Sequence, residues 1–348
     1  MRLYYFVALA LIIKPTWQEL VWEELTTKSG SISPRRDAAI AYQESEDAVY
    51  IFGGKSVKNR ALDNNMYKFD LNTKIWTVQI NNRDVPNARF SMVYGTKGNY
   101  FYIATGEDID SSGKSTYYDD FWRFHFPTSK WEEMSSNNNK PKKRSSASGG
   151  IHEDDSSFVL SHGSNDDDKF SNTFSYDIDQ PASTRAWEEI HSGTNNYNPS
   201  YPHARYQQAG LMVSKDKLLL FGGCLSGQGT GGPCPSDDSW TYDKASNEWS
   251  ELNRCSSPKI SPAMARLPSG NTSIHRVVLW GGNADSRTTL ASDDDKEDEI
   301  AVFDPDKNEW KIKKTQAKMT FPSAREGHVM VTTKYGVVMF GGEDLRLV

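Results

Sequence analysis

A largely apolar run that ends in a pair of small residues recurs six times along this 348-residue chain. The second member of every pair is glycine, and the copies step by 52, 57, 60, 59 and 60 residues at Gly54, Gly106, Gly163, Gly223, Gly282 and Gly342. A fixed period of this length is typical of architectures in which each repeat is one supersecondary unit. The repeat therefore constrains the fold more strongly than any other feature of the sequence.

Two further signals keep phase with the glycine pairs. A tryptophan follows most pairs by about two dozen residues, at Trp76, Trp131, Trp187, Trp249 and Trp310. Between pair and tryptophan lies a short aromatic run such as Met66–Asp70 or Ile300–Asp304. Each unit thus predicts four strands, and the continuous apolar run suits a strand that is covered on both faces. Four-stranded sheets that stack on their neighbours form a β-propeller.

The glycine pair, the aromatic residue before aspartate and the spaced tryptophan resemble kelch repeats, within the galactose oxidase central-domain-like superfamily, from about Pro34 to Gly342. The resemblance implies an all-β fold, a six-bladed kelch-type β-propeller with four antiparallel strands per blade. The expected repeats cover 34–80, 86–134, 141–190, 202–252 and 258–312, with a last one made of 322–348 plus 20–27.

The last repeat has its first two strands but not a complete set of four. An N-terminal segment is expected to complete it. Trp22-Glu23-Glu24-Leu25 repeats the pattern of Trp131-Glu132-Glu133-Met134 and precedes Arg36 at a similar spacing. We therefore predict that the Trp22 strand closes the last blade, with residues 344–348 as a short third strand. Closure would remove open sheet edges. The alternative is a fragment whose missing part held further blades or domains.

The N-terminus has the pattern of a secretory signal. Arg2 precedes an apolar run from Leu3 to Ile13, which is too short to span a bilayer. We predict a signal peptide over 1–15, a single propeller domain over 16–348 and a secreted or extracellular protein. A first β-strand is the alternative for this segment, and a cytoplasmic location is the alternative for the protein.

The cysteines and one glycosylation sequon also bear on whether the protein is secreted. In a secreted protein Cys224 and Cys234 are expected to form a disulfide that holds the loop between them, with Cys255 as a rival partner. Asn271 begins an Asn-Thr-Ser sequon beside Ser269-Gly270 and is a candidate glycosylation site.

In a kelch-like blade the first strand lies nearest the axis, so the fourth-to-first and second-to-third connections share one face, here called the loop face. A set of arginines, called the arginine set, stands where first strands begin: Arg36, Arg89, Arg144, Arg205 and Arg325. In repeat five either Lys259 or Arg266 could fill this place. In some kelch proteins arginines at this position contact acidic partner segments. The alternative is that each arginine pairs with an acidic neighbour and supports the loops.

The loops of the same face are acidic. The candidate carboxylates are Asp119, Asp120, Asp166, Asp167, Asp168, Asp293, Asp294 and Asp295. With a net charge of -6 and no basic face, the chain is not expected to bind nucleic acid, and an acidic rim would favour a basic protein partner. A solvated loop without function is the alternative.

Chemistry beyond binding has little support in the sequence. The seven histidines fall at different phases of the repeat and show no metal-ligand spacing. We predict a non-catalytic interaction module without cofactor or metal, similar to the kelch portion of attractin-like extracellular proteins, that binds a protein or glycan through the loop face and does not insert into membranes. The alternatives are an intracellular kelch adaptor or scaffold and a small-molecule or carbohydrate-active propeller enzyme.

Overall fold

Strands dominate the regular structure of the described residues, with two 3-10 turns at Glu44–Glu46 and Phe126–Thr128. The computed structural model describes residues 8–13, 20–79, 84–134, 139–193, 198–225, 232–254, 257–268, 276–284, 297–318 and 320–346. The prediction of an all-β chain is confirmed in these ranges.

The strands are numbered in chain order. Those up to residue 133 are β1 (Ala8–Ile13), β2 (Leu20–Leu25), β3 (Arg35–Arg36), β4 (Ala39–Gln43), β5 (Ala48–Phe52), β6 (Lys55–Ser56), β7 (Met66–Asp70), β8 (Ile75–Gln79), β9 (Val93–Lys97), β10 (Tyr100–Ala104), β11 (Glu107–Ile109), β12 (Ser115–Tyr117), β13 (Phe121–His125) and β14 (Lys130–Glu133). The remainder are β15 (Ser148–Gly150), β16 (Ser157–Ser161), β17 (Thr173–Asp177), β18 (Trp187–His191), β19 (Ala209–Met212), β20 (Lys217–Phe221), β21 (Ser239–Asp243), β22 (Glu248–Leu252), β23 (Ala263–Arg266), β24 (Val277–Trp280), β25 (Glu299–Asp304), β26 (Glu309–Ala317), β27 (Arg325–Thr333) and β28 (Gly336–Asp344).

Five large sheets contain most of these strands. Sheet I is β4-β5-β7-β8, sheet II is β9-β10-β13-β14, sheet III is β15 to β18 and sheet IV is β19 to β22, all antiparallel. Sheet V has eight strands in the order β23-β24-β25-β26-β2-β1-β28-β27, and its only parallel pairing joins β26 to β2. The pairs β3–β6 and β11–β12 form small separate sheets.

The first strands surround a common axis. Strand β4 contacts β9, and the contacts continue through β15, β19, β23 and β27 back to β4. The sheets are therefore arranged as a β-propeller. The strand that carries each apolar run is covered on both faces, as in β5, where all five residues are buried. The outermost strand of a sheet buries little besides its tryptophan, as in β14, where only Trp131 is buried.

The repeat tryptophans pack between sheets, as their size suggested. Each indole lies against an aromatic ring of the neighbouring sheet or half-sheet, and the ring-centroid distances are Trp131–Phe52 4.8 Å, Trp187–Phe121 5.4 Å, Trp249–His162 5.6 Å, Trp310–Phe221 5.8 Å, Trp22–Trp280 5.1 Å and Trp76–Phe340 5.6 Å. In repeat three, which departs from the glycine pair, this ring is that of His162. The core is consequently divided among the spaces between sheets.

The N-terminal segment contributes two strands to sheet V. Strand β2 carries Trp22 and lies between β1 and β26, and β1 pairs with β28 through Leu9 and Met339. The expectation of a third strand at 344–348 is wrong: β28 extends to Asp344, and the N–H of buried Leu345 then donates to the carbonyl of Ala324 at 2.8 Å. The apolar run that suggested a signal therefore supplies this strand from Ala8 to Ile13.

Candidate functional site

The glycine pairs fix the arginine positions across the sheet boundaries. The N–H of five of the six second glycines donates to a backbone carbonyl of the next sheet or half-sheet, in the pairs Gly54–Arg89, Gly106–Arg144, Gly163–Arg205, Gly223–Lys259 and Gly282–Arg325 at 2.8–3.0 Å. The residue equivalent to the arginines in repeat five is therefore Lys259 and not Arg266. The first glycine of a pair has positive φ, for example +66° at Gly222, where an added Cβ would lie 2.6 Å from the Lys259 carbonyl oxygen.

In the first repeat the equivalent residue is Arg35, one position before the predicted Arg36. Its Nη1 donates to the carbonyl of Gly53 at 2.9 Å and its Nε to that of Ser33. Arg89, Arg144, Arg205 and Arg325 make the same two kinds of bond, to the carbonyl that ends the glycine-pair strand and to the carbonyl two residues back. All five guanidinium groups are buried. They therefore brace the strand ends and do not present their charge at the surface.

Three of the buried arginines are neutralised by aspartates from second-to-third connections. Arg205 makes a bidentate pair with Asp238 at 2.8 and 2.7 Å, Arg89 pairs likewise with Asp120, and Arg35 contacts Asp63 at 2.9 Å. Burial by itself would raise the pKa of Asp238, but the charge and hydrogen bonds of Arg205 reverse this and hold that pKa well below its usual range. Asp120 is thus an internal counter-ion, and its pKa is lowered in the same way.

Arg144 lacks such a counter-ion. Its Nη1 contacts the side-chain oxygen of Asn172 at 2.9 Å, and its Nη2 has no hydrogen-bond partner in the described structure. The ring of Phe170 covers the guanidinium at 3.9 Å. Burial lowers the pKa of Arg144 to about 9, because the carboxylates of Glu189 and Asp168 compensate only in part.

Arg36 lies at the junction of sheets I and V within a network of charges. It pairs with Asp37, with Glu326 at 2.6 Å and with Glu343 at 2.9 Å, and Glu343 also pairs with Arg60. Its side chain is 13% exposed, more than that of any other member of the arginine set. It also has the largest number of carboxylate partners in that set.

The acidic residues of sheets II and III lie together on the loop face. Strands β11 and β12 form a hairpin beyond sheet II, and the Tyr117 hydroxyl of that hairpin donates to Asp166 at 2.8 Å. Asp166 and Asp167 are exposed and Asp168 is paired with Lys142 at 3.3 Å. Among the described side chains, no cation lies within ion-pair distance of Asp119, Asp166 or Asp167. Asp293, Asp294 and Asp295 lie outside the described residues.

A cavity of about 1140 Å³ runs along the axis, and each of the six first-strand segments contributes to its wall. At its loop-face end stands a set of residues called the mouth ring: Asp37, Ser91, Ser146, Gln207, Ser261 and Gly327. At the other end the carboxylate of Glu153 reaches Arg266 from across the cavity, at 3.5 Å. Sequence reasoning missed the mouth ring, because nothing in a serine or glutamine marks an unusual backbone angle.

Cys224 and Cys234 form the predicted disulfide, with their Cα atoms 4.2 Å apart. The bridge leads directly into Ser236, whose hydroxyl donates to Asp238 at 2.6 Å and whose carbonyl accepts from the Lys259 N–H. The disulfide thus holds the loop beside the Arg205–Asp238 pair. Cys255 and Asn271 lie outside the described residues.

Among the described residues, no group of three or more His, Cys, Asp or Glu side chains is placed to hold a metal ion. No helix in the same part of the chain is long and apolar enough to cross a bilayer.

Comparison with protein families agrees with the geometry of the repeats. The family model described as the KLHDC2/KLHL20/DRC7 Kelch-repeats domain matches residues 11–223 and 163–342. The chain belongs to the kelch-repeat family. The kelch resemblance of the sequence is thereby confirmed, and kelch domains are in general protein-interaction modules.

Curated relatives match over part of the chain. They include N-(sulfonatooxy)prop-2-enimidothioate sulfolyase of Thlaspi arvense, 29% identical over 119 residues, which are 33% of this chain and 31% of the relative. Acyl-CoA-binding domain-containing protein 4 of Arabidopsis thaliana is 27% identical over 42% of this chain and 20% of its own length. Rho GTPase-activating protein gacHH of Dictyostelium discoideum is 27% identical over 44% of this kelch chain and 9% of its own. The matches span less than a third of each relative's length.

Proposed function

We propose that this kelch chain is a non-catalytic module that binds a basic segment of a partner protein at the sheet II and sheet III side of its loop face. The observation that carries the proposal is the contrast between the two charged sets. The buried arginines donate to groups inside the protein, whereas Asp166 and Asp167 are exposed and Asp119 is partly exposed. Among the described side chains, none of these three aspartates has a cationic partner. Exposed loops on a rigid scaffold are a common place for binding residues.

Of the arginine set that was predicted to contact a partner, one residue remains accessible. Burial of Arg89, Arg144, Arg205 and Arg325 leaves Arg36 as the member that a partner could reach without rearrangement. Because Arg36 already faces three carboxylates, an acidic partner segment would have to compete with Asp37, Glu326 and Glu343. A basic partner avoids this competition.

We also propose that sheet V comprises two blades, which makes the propeller six-bladed. Its β23–β26 half and its β27, β28, β1 and β2 half each contain four strands, and β26 passes from one half to the other. The two faces of β28 pack into different clusters, Val338 against sheet I and Met339 against the β23–β26 half. This arrangement is what two adjacent blades would require.

Neutralising the loop-face carboxylates should weaken partner binding. In the triple variant Asp119→Asn, Asp166→Asn, Asp167→Asn we expect partner proteins to be captured at least tenfold less well, with the largest loss at low salt, since rim charges act mainly on association. Quantitative mass spectrometry of proteins retained by the immobilised chain measures this. Glu133→Gln, Glu188→Gln, Glu251→Gln is the matched control, because it changes the same charge on exposed positions of the outermost strands. Equal capture by the loop variant and the control would refute the proposed surface.

We propose a secreted location, which the disulfide supports, because disulfides persist in oxidising compartments. Cleavage after Ile13 would remove β1 from sheet V, so the proposed pair of complete blades requires that the protein keeps Ala8–Ile13. Expression with the native N-terminus, followed by mass spectrometry of cells and medium, tests both proposals. Protein in the medium that carries a glycan at Asn271 and retains Ala8–Ile13 is expected. Cellular protein that retains Ala8–Ile13 and carries no glycan would contradict the secreted location.

A further inference from the structure

The mouth ring is a repeated backbone feature around the axial cavity. All six of its residues have positive φ, between 49° at Ser261 and 65° at Gly327. Each lies two positions after the arginine or lysine that braces the strand end. Five neighbouring pairs are joined by a hydrogen bond from the N–H of one to the carbonyl of the other, at 2.7–3.0 Å: Asp37–Gly327, Ser91–Asp37, Ser146–Ser91, Ser261–Gln207 and Gly327–Ser261.

Five of the six positions carry a side chain where glycine would be less strained. A left-handed backbone costs a non-glycine residue roughly 1–2 kcal/mol. The same chain uses glycine at most of the positive-φ positions that end its apolar strands. Strained residues of this kind cluster at ligand sites. The side chains of the mouth ring are thus retained at a cost that the fold alone does not require.

The polar side chains of the mouth ring are available for hydrogen bonds to a ligand. Within the described structure the hydroxyls of Ser91, Ser146 and Ser261 and the amide of Gln207 form no side-chain hydrogen bond. The carboxylate of Asp37 accepts from Arg36 at 2.7 Å through one oxygen. All of these residues line the cavity, whose volume of about 1140 Å³ is sufficient for a small molecule.

We propose that the mouth ring binds a neutral polyhydroxylated ligand, a monosaccharide or the terminal sugar of a glycan, at the entrance of the axial cavity. Serine hydroxyls and the glutamine amide both donate and accept, as do sugar hydroxyls. The one carboxylate of the ring adds an acceptor, and no member of the ring is a cation. The guanidinium groups two positions away are buried, and Arg36, which donates to Asp37, is already paired with Glu326 and Glu343 as well. A phosphate or carboxylate ligand would therefore have to compete with these carboxylates for a counter-charge.

The test is equilibrium binding of named sugars to the whole chain. Saturation-transfer NMR and calorimetric titration with glucose, galactose, mannose and N-acetylglucosamine, at concentrations up to about 10 mM, are expected to show saturable binding of at least one. Methyl mannoside and a mannose-terminated oligosaccharide distinguish a free sugar from a glycan end. Absence of binding by all neutral sugars, or tighter binding of glucuronate than of its neutral counterpart, would overturn the proposal.

Glycine substitutions separate the binding role from the folding role. In Ser91→Gly, Ser146→Gly, Ser261→Gly the hydroxyls are lost while the positive φ becomes unstrained. We expect an unchanged or higher unfolding temperature together with at least tenfold weaker sugar binding. Ser129→Gly is the matched control, because Ser129 has φ of 53° in the β13–β14 turn away from the cavity. It should leave sugar affinity unchanged. A triple variant that binds sugar as the parent does would assign the ring a purely structural role.

Discussion

Replacing Asp238 by alanine should lower the free energy of unfolding by about 3–5 kcal/mol, the typical effect of leaving one partner of a buried ion pair alone. Arg205 has no exposed surface, and Asp238 is its bidentate counter-ion. The substitution also removes the acceptor of the Trp240 indole N–H and of the Ser236 hydroxyl. Denaturant unfolding measures the change.

The neighbouring residue is a matched control for this experiment. Asp237 pairs with Arg254, whose side chain is 66% exposed, and such surface pairs contribute about 1 kcal/mol or less. Asp237→Ala should therefore have little effect. The double variant Arg205→Met, Asp238→Ala removes the uncompensated charge and should recover part of the stability. A loss for Asp238→Ala no larger than that for Asp237→Ala would contradict the internal role of the Arg205–Asp238 pair.

Acidification below pH 6.5 should destabilise the protein through its buried histidines. Burial, with the charge of Arg325 next to it, lowers the pKa of His328 to about 3, and burial with Arg205 and Arg144 holds the pKa of His162 well below its usual range. Above pH 6.5 both histidines are neutral in the folded and the unfolded chain, so they add no pH dependence. Below pH 6.5 the unfolded chain takes up protons that the folded one does not.

The expected slope follows mainly from these two sites, and His191 and His203, whose pKa is also lowered by burial, add to it in the same direction. Each of the two main sites contributes about 1.4 kcal/mol per pH unit, so stability should fall by about 3 kcal/mol per unit well below pH 6.5. The raised pKa of Glu107 acts in the opposite direction and reduces the slope. Unfolding curves between pH 7.5 and 5 measure it. In His328→Met, which places the residue found at Met92 in the equivalent position, the slope should fall by about 1.4 kcal/mol per pH unit. An unchanged slope in that variant would show that His328 titrates normally.

The repeat itself was predictable because the residues that mark it have local structural roles. Glycine at a strand end and tryptophan between sheets are each required by backbone angle or volume, so their spacing alone indicated stacked four-stranded sheets. The Trp22 strand was found by the same signal, since Trp22-Glu23-Glu24-Leu25 matches the outer strands of other repeats. Strand β1 was given only as the alternative to a signal peptide, because an apolar run at an N-terminus is compatible with both.

The site was harder to predict because burial depends on partners distant in sequence. Nothing near Arg205 reveals that Asp238 neutralises it, and the two adjacent arginines 35 and 36 could be told apart only by the carbonyls that Arg35 contacts. Arg144 differs from Arg35, Arg89 and Arg205 because its second-to-third connection supplies Asn172 where theirs supply aspartate. The mouth ring depends on backbone angles that its side chains do not encode.

The pairing of β1 with β28 has a consequence for synthesis of the protein. During synthesis β1 and β2 emerge before the other described strands of the propeller, and their partner β28 emerges after all of them. Until then the β1–β2 pair has an unsatisfied edge, the kind of surface that invites aggregation. Closure of sheet V must therefore follow synthesis of the other strands, and chaperones that shield the β1–β2 segment should affect the yield of this protein more than that of a propeller with all strands of a blade contiguous.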